Sequence, residues 1–336
     1  MLPAGPGGDM RRREFLGGLG GAAAVWPLAV RAQKRPVRIG YLFAGAADSL
    51  AASIRNRFIN EGLRDNGLIE GRDYTIEERF AAGHYERFPE LAGELARAGV
   101  RVILTNTIAS VRAAQRLTPP VPIIMAPIND PVGTGLIASL ARPGGHTTGL
   151  ASLNEDLTSK LLEYQRAILP KASRLAALFN PGNPSNLKFV DELRAHAGAI
   201  GISVLAVALP SPDALDTAFM TIRDHHPDAL QVISDSGTLD LSDRIATFAL
   251  ANRLPSFASS TTYAECGGLL AYGASNSKMF TRAGYYVKKI LDGANPGDLP
   301  VEQPSLIELW INMKVAKAIG VDIPTNLQQL ADQVIE

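Results

Sequence analysis

Ile128-Asn129-Asp130-Pro131-Val132-Gly133-Thr134-Gly135-Leu136, followed by Ala141-Arg142-Pro143-Gly144-Gly145-His146-Thr147-Thr148-Gly149-Leu150, is the stretch on which the reading of the chain turns. It follows a short apolar strand, Ile123 to Ala126, and sets Asn129 and Asp130 at the strand's end. Pro131 suits the first position of a helix, where its missing N–H costs nothing, so Asp130 is the natural N-cap. Pro143-Gly144-Gly145 then stops that helix, and a new strand-like run begins. Polar groups at a strand's C-terminal end, beside a helix N-terminus, are where open α/β sheets hold ligands. The stretch is therefore expected to serve a binding site and to carry the chain out of a first lobe.

The same grammar extends in both directions. Upstream, Val37 to Phe43 reads as a buried strand, Ala44 to Ser49 as a polar turn, and the residues up to Asn66 as a helix with Ile54, Phe58, Ile59 and Leu63 at helical spacing. Strand Tyr74–Phe80, helix His84–Arg97, strand Val100–Leu104, the polar exit Thr105-Asn106-Thr107 and helix Ala109–Leu117 follow. Downstream, helix Leu157–Leu169, strand Leu175–Phe179, helix Leu187–Ala199, strand Ser203–Val207, helix Asp213–Asp224, strand Ala229–Ile233, helix Leu239–Asn252 and strand Ser256–Ala258 repeat the alternation. Alternation of this kind implies right-handed βαβ units and a parallel sheet. A last part holds strand Cys266–Gly273, helix Phe280–Leu291, linker Asn295–Pro300, strand Glu308–Asn312, helix Met313–Ile319 and a tail. The fold expected is α/β, with two doubly wound parallel-sheet lobes in tandem.

Composition narrows the function. The 336 residues suffice for two domains, and 46% hydrophobic with 20% charged residues describes a globular chain. Basic and acidic residues balance at 33 each, which gives no electrostatic reason to expect nucleic acid or an anionic membrane as partner. The single cysteine, Cys266, excludes an intrachain disulfide, and His84, His146, His196, His225 and His226 lack metal-ligand spacing; no metal and no cofactor are expected. No P-loop, G-x-S-x-G elbow or H-E-x-x-H helix is present, and Glu77 and Glu78 fall on opposite faces of their strand.

The N-terminus is a different kind of sequence. Arg12, Arg13, Phe15 and Leu16 fit a twin-arginine export signal, and the uncharged run Gly17–Val30 leads to a cleavage site at Ala32. That run is short and glycine-rich for a bilayer span. Residues 1–32 thus read as a signal peptide, whose removal leaves 29 basic and 31 acidic residues. A periplasmic location is expected.

Four blocks resemble one family: Asp130-Pro131-Val132-Gly133; Ala141-Arg142-Pro143-Gly144-Gly145; Gly267-Gly268-Leu269-Leu270-Ala271-Tyr272-Gly273; and Leu299 to Pro304 through Ile311-Asn312 to Gly320. The family is the ABC-transporter substrate-binding proteins of the tryptophan/tyrosine-binding-like group. The resemblance implies a type I periplasmic-binding-protein fold with a three-crossing hinge and the ligand in the cleft between the lobes. Lobe 1 would be 35–150 plus 269–299, and lobe 2 would be 151–268 plus 300–336. Hinge positions would be Thr148, Gly149, Leu150, Gly268, Pro300 and Gln303. It also implies a small solute, of aromatic or branched amino-acid type, an inner-membrane ABC permease as partner, and a monomer.

Strand C-termini of both lobes face such a cleft, which marks Asp48, Ser49, Asn106, Thr107, Asn129 and Asp130 in lobe 1. Asn183, Asn186, Asp235, Ser236, Tyr263 and Tyr272 are the lobe 2 counterparts. Thr107 would cap a helix whose N–H groups hold a carboxylate. Asp235 or Asp130 would accept from an ammonium, and Tyr41, Tyr263 or Tyr272 would pack on an apolar or aromatic group. Each has a plainer alternative: Asp130 as N-cap before a contact, Asp235, Asn183 and Asn186 as cap or contact, Tyr272 as hinge packing, Tyr41 as core. A secreted α/β hydrolase or transferase is the competing function. A transcription-factor ligand core would need a helix-turn-helix before Val37, and an export leader stands there instead.

Overall fold

The computed structural model describes residues 35–152 and 157–336, besides Met1. The signal-peptide reading of residues 1–32 therefore lies outside the described residues. In chain order the first lobe contains β1 (Val37–Phe43), α1 (Leu50–Asp65), β2 (Tyr74–Phe80), α2 (Phe88–Arg97), β3 (Val102–Thr105), α3 (Ile108–Gln115), β4 (Ile123–Asn129) and β5 (Thr147–Ser152). All pairs are parallel, in the order β2-β1-β3-β4-β5. β1 and β3 are almost continuously apolar because helices cover both faces of the sheet.

The second lobe runs through α4 (Thr158–Ile168), β6 (Arg174–Phe179), α5 (Pro184–Ala199), β7 (Ser203–Ala208), α6 (Leu215–His225) and β8 (Ala229–Val232). It continues with α7 (Ser236–Asp240), α8 (Ser242–Ala251), β9 (Ser256–Ser260), α9 (Thr261–Glu265) and β10 (Leu270–Ala274). α10 (Asn276–Leu291) then returns to the first lobe, where Met279, Phe280, Ala283 and Val287 join its core. β11 (Ile307–Asn312), α11 (Met313–Ile319), α12 (Thr325–Leu330) and β12 (Gln333–Ile335) complete the second sheet, ordered β12-β11-β10-β9-β8-β6-β7. Among the described residues only β11 against β10 is antiparallel. Two doubly wound lobes are thus present, as expected. Residues 36–336 form one compact unit, and among the described residues no helix is long and apolar enough to cross a membrane.

Three expectations are corrected. Residues 131–142 are turns and bends rather than a helix. Asp130 sits at φ 41°, its carboxylate accepts from Gly133 N at 2.9 Å, and Gly135 at φ 72° ends the turn before a second can form. Second, β10 hydrogen-bonds between β9 and β11, so residues 269–274 belong to the second lobe rather than the first. Gly268 accordingly lies inside that lobe, where a Cβ would overlap the Tyr263 ring. Third, the segment after Leu299 stays with the first lobe: Glu302 N donates to Gly149 O at 3.0 Å and Ala151 N to Glu302 O at 2.8 Å. Pro300 is held there by Tyr286 Oη at 2.7 Å, and Gln303 is the first residue beyond this pairing. Thr148 Oγ1 donates to Leu299 O at 2.7 Å, so Thr148, Gly149 and Leu150 are strand residues beside the returning chain.

Candidate functional site

The C-terminal ends of both parallel sheets meet across one cavity of about 80 Å³. β4 reaches it through a bulge at Pro127, where the register shifts between Met125 and Ile128. Proline lacks the N–H that a regular central strand uses, so a bulge accommodates it. This brings Ala126, Pro127 and Asn129 to the cavity wall. Opposite the bulge, Gly149 at φ 128° allows β5 to pass, since a Cβ there would overlap the Met125 backbone.

From the first lobe the walls also include Ala51 and Arg55 on α1, Asn106 after β3, Ser152 ending β5, and Asn276 and Phe280 on α10. The second lobe adds Asn183, Ser234, Asp235, Ser236, Leu239, Asp240, Ser259, Ser260 and Thr262. Much of the hydroxyl and amide lining pairs with itself: Ser152 Oγ donates to Asn129 Oδ1 at 3.1 Å, Ser259 Oγ to Ser234 Oγ at 3.1 Å, and Asn276 Nδ2 to Ser260 Oγ at 2.7 Å.

Two acids treat the cavity differently. Asp235 caps α7 and is saturated. Its Oδ1 accepts from Tyr85 Oη at 2.6 Å, Asn180 Nδ2 at 2.9 Å and Gly237 N at 2.9 Å, and its Oδ2 accepts from Asn183 Nδ2 at 2.7 Å. Burial, then the Asp235 charge, pushes the Tyr85 hydroxyl well above its ordinary pKa, so it donates as a neutral phenol. Asp240 has one donor, Ser49 Oγ at 2.6 Å, on its Oδ1; its Oδ2 has no partner. Gly45 permits this approach, since a Cβ there would overlap the Asp240 carboxylate. Burial raises the Asp240 carboxyl to about 6, against the lowering effects of Arg55 and Ser49.

Arg55 faces the same space from α1, only 4% exposed. Its guanidinium lies 4.1 Å from the Phe43 ring centroid. Nε and Nη2 have no hydrogen-bond partner. Burial lowers its pKa, and Asp240 opposes that shift most. Asn106 Oδ1 is also buried without a partner.

The lobes touch directly around the cavity. Tyr85–Asp235 and Ser49–Asp240 join them, Ser236 Oγ donates to Asn106 O at 3.2 Å, and Lys188 Nζ stands 3.7 Å from Asp130 Oδ2.

Of the residues chosen from sequence, Asn106, Asn129, Asn183, Asp235 and Ser236 line the cavity. Ser49 supports Asp240 from just behind the wall and caps α1. The others do not line it. Asp48 is exposed. Thr107 is buried under its own capping box with Ser110, and Asp130 is held by its turn and Lys188. Asn186 accepts from Asn180 N at 3.1 Å. Tyr263 is core, and Tyr272 packs edge-on against Tyr164 with centroids 5.0 Å apart. Tyr41 is core, as the plainer alternative had it. Arg55, Asp240, Tyr85 and Phe280 were missed. Arg55 carried a readable signal, a charge on the apolar stripe that includes Ala51 and Ile59; Asp240 sits in a helix too short to show periodicity.

A family model described as ABC transporter substrate binding protein matches residues 47–335. The "Tyrosine-binding protein" of Clostridioides difficile is 26% identical over 262 residues, covering 78% of this chain and 75% of that protein. Among solved structures, an ABC domain from Streptococcus pneumonia in complex with L-Trp superposes with a TM-score of 0.79 at 25% identity, over 89% of this chain and all of that one. A conserved domain protein from Vibrio cholerae gives a TM-score of 0.81 at 22% identity with the same coverage. The architecture is that of type I periplasmic binding proteins.

Proposed function

The chain belongs to the ABC transporter substrate-binding protein family, and from that premise we propose that it captures an amino acid between its lobes and delivers it to a membrane permease. Members of this family bind substrates and are not enzymes, which decides against the hydrolase or transferase. The observation that carries the reading is the cavity itself: polar side chains from both sheets converge on it, and the lobes meet around it. A solute touching both lobes stabilises their closed arrangement over a parted one, by as much as its affinities for the two differ. The names of the tyrosine-binding and L-Trp-bound relatives support an amino acid as that solute. Phe280, Leu239, Ala126 and Pro127 offer the apolar wall on which its side chain would lie.

The passages at residues 274–276 and 303–306 join the lobes and would bend as they close. The chain would work outside the cytoplasm, exported by its twin-arginine leader, cleaved near Ala32, and acting as a monomer. Thermal melting of the purified protein against the twenty L-amino acids tests the function. One or a few amino acids should raise the melting temperature and be recovered chemically unchanged. Consumption of the stabilising compound would overturn the reading in favour of an enzyme.

A further inference from the structure

We infer that Arg55 and Asp240 are the pair that selects the solute, Arg55 receiving a carboxylate and Asp240 an ammonium, so that the site takes a free α-amino acid with both termini unblocked. This rests on the solute-capture reading and adds the groups that recognise the solute.

Three observations carry it. The partnerless Arg55 atoms are Nε and Nη2, which form one edge of the guanidinium. Two N–H groups side by side on one edge match the two oxygens of a carboxylate, the geometry of a bidentate pair. Asp240 and Glu78 face Arg55 electrostatically, yet no acid among the described residues hydrogen-bonds its Nε or Nη2. A buried cation left so is costly unless something else completes it. Second, Asp240 keeps Oδ2 without a partner, and Asn106 adds a buried Oδ1 in the same state. Both are acceptors suited to an ammonium, whereas Asp235 has donors on both oxygens and no such vacancy. Third, Arg55 stands on the first lobe and Asp240 on the second, so one molecule bearing both charges bridges the cleft. A zwitterion adds no net charge to the cavity. A bare carboxylate would also meet Asp240, and a bare amine would also meet Arg55.

Calorimetric titration tests this with each amino acid found to bind, its decarboxylated amine and its desamino acid, against the wild type, Arg55→Met and Asp240→Asn. The intact amino acid should bind the wild type at least about 100-fold more tightly than either truncated form. Each substitution should weaken it by a similar factor. The ligand-free melting temperature of Arg55→Met should equal or exceed that of the wild type, because an uncompleted buried charge is removed; a purely structural arginine would lower it. If an amino acid binds but its amine or desamino form binds equally well, or Arg55→Met keeps full affinity, this inference fails and the capture function stands. If none of the twenty amino acids binds any protein, the amino-acid reading falls and takes this inference with it.

Discussion

Asp235 and Asp240 lie five residues apart and show how environment divides like residues. Asp235 has four donors, so its charge is answered inside the protein. Asp240 has one, and burial raises its pKa from an ordinary 3.8 to about 6. A carboxyl raised on folding adds stability below its unfolded pKa and loses it as pH rises through its folded pKa. The ligand-free protein should therefore lose a contribution of about 3 kcal/mol at most between pH 4 and 7. Asp240→Asn, whose amide cannot titrate, should not, so its melting temperature should gain on the wild type across that window. Equal pH profiles would show that Asp240 is not perturbed. An amino-acid ammonium favours the ionised form, so affinity should fall as pH drops below about 6, with Arg55 and Asp235 the charged neighbours that share the field. Asp235 was legible because it follows a buried strand and precedes Gly237. Asp240 was not, because what isolates it is the neighbouring lobe's Gly45 and Arg55, which no local pattern records.

Elements were legible where burial was continuous. The parallel strands and amphipathic helices match their sequence limits to within a few residues because each pattern is set by its own two faces. The segment 131–142 shows the opposite case. Proline after an aspartate is a helix-start signal, but Gly133 and Gly135 lower helix propensity, and Leu136 and Ile137 bury themselves by turning back, with Gln115 Nε2 donating to Leu136 O at 2.8 Å. The assignment of β10 turned on partner choice between two sheets, which alternation alone does not encode. The pairing of α1 with α10 is also a matter of partner. A Cβ at Gly284 would overlap the backbone of Gly62, and one at Gly62 would overlap the Thr281 carbonyl. Gly284→Ala should cost about 1–3 kcal/mol or more by forcing the helices apart. Urea unfolding should show a lower midpoint with an unchanged slope; an unmoved midpoint would mean that the two helices do not need this approach.

Residues 36–336 are a pair of sheets whose strand ends face each other across one cavity. Within residues 36–336 the lobes are in contact, and a compact body of that length has a radius of gyration of about 19 Å. Small-angle scattering of the ligand-free protein should give a larger value, falling toward this one as the bound amino acid saturates. Superimposable curves with and without amino acid would exclude closure as the capture step. Three of the four donors on Asp235 belong to its own lobe, and only Tyr85 comes from the other. Were the halves to part as proposed, Asp235 would surrender one hydrogen bond to water and strand no charge. The contact is then worth roughly the net value of one hydrogen bond to an ionised group, about 1.5–3 kcal/mol. It gives the shut form a direction without making it a trap. In the proposed capture cycle, release of the solute would depend on that reversibility, which resides in how one carboxylate shares its lone pairs.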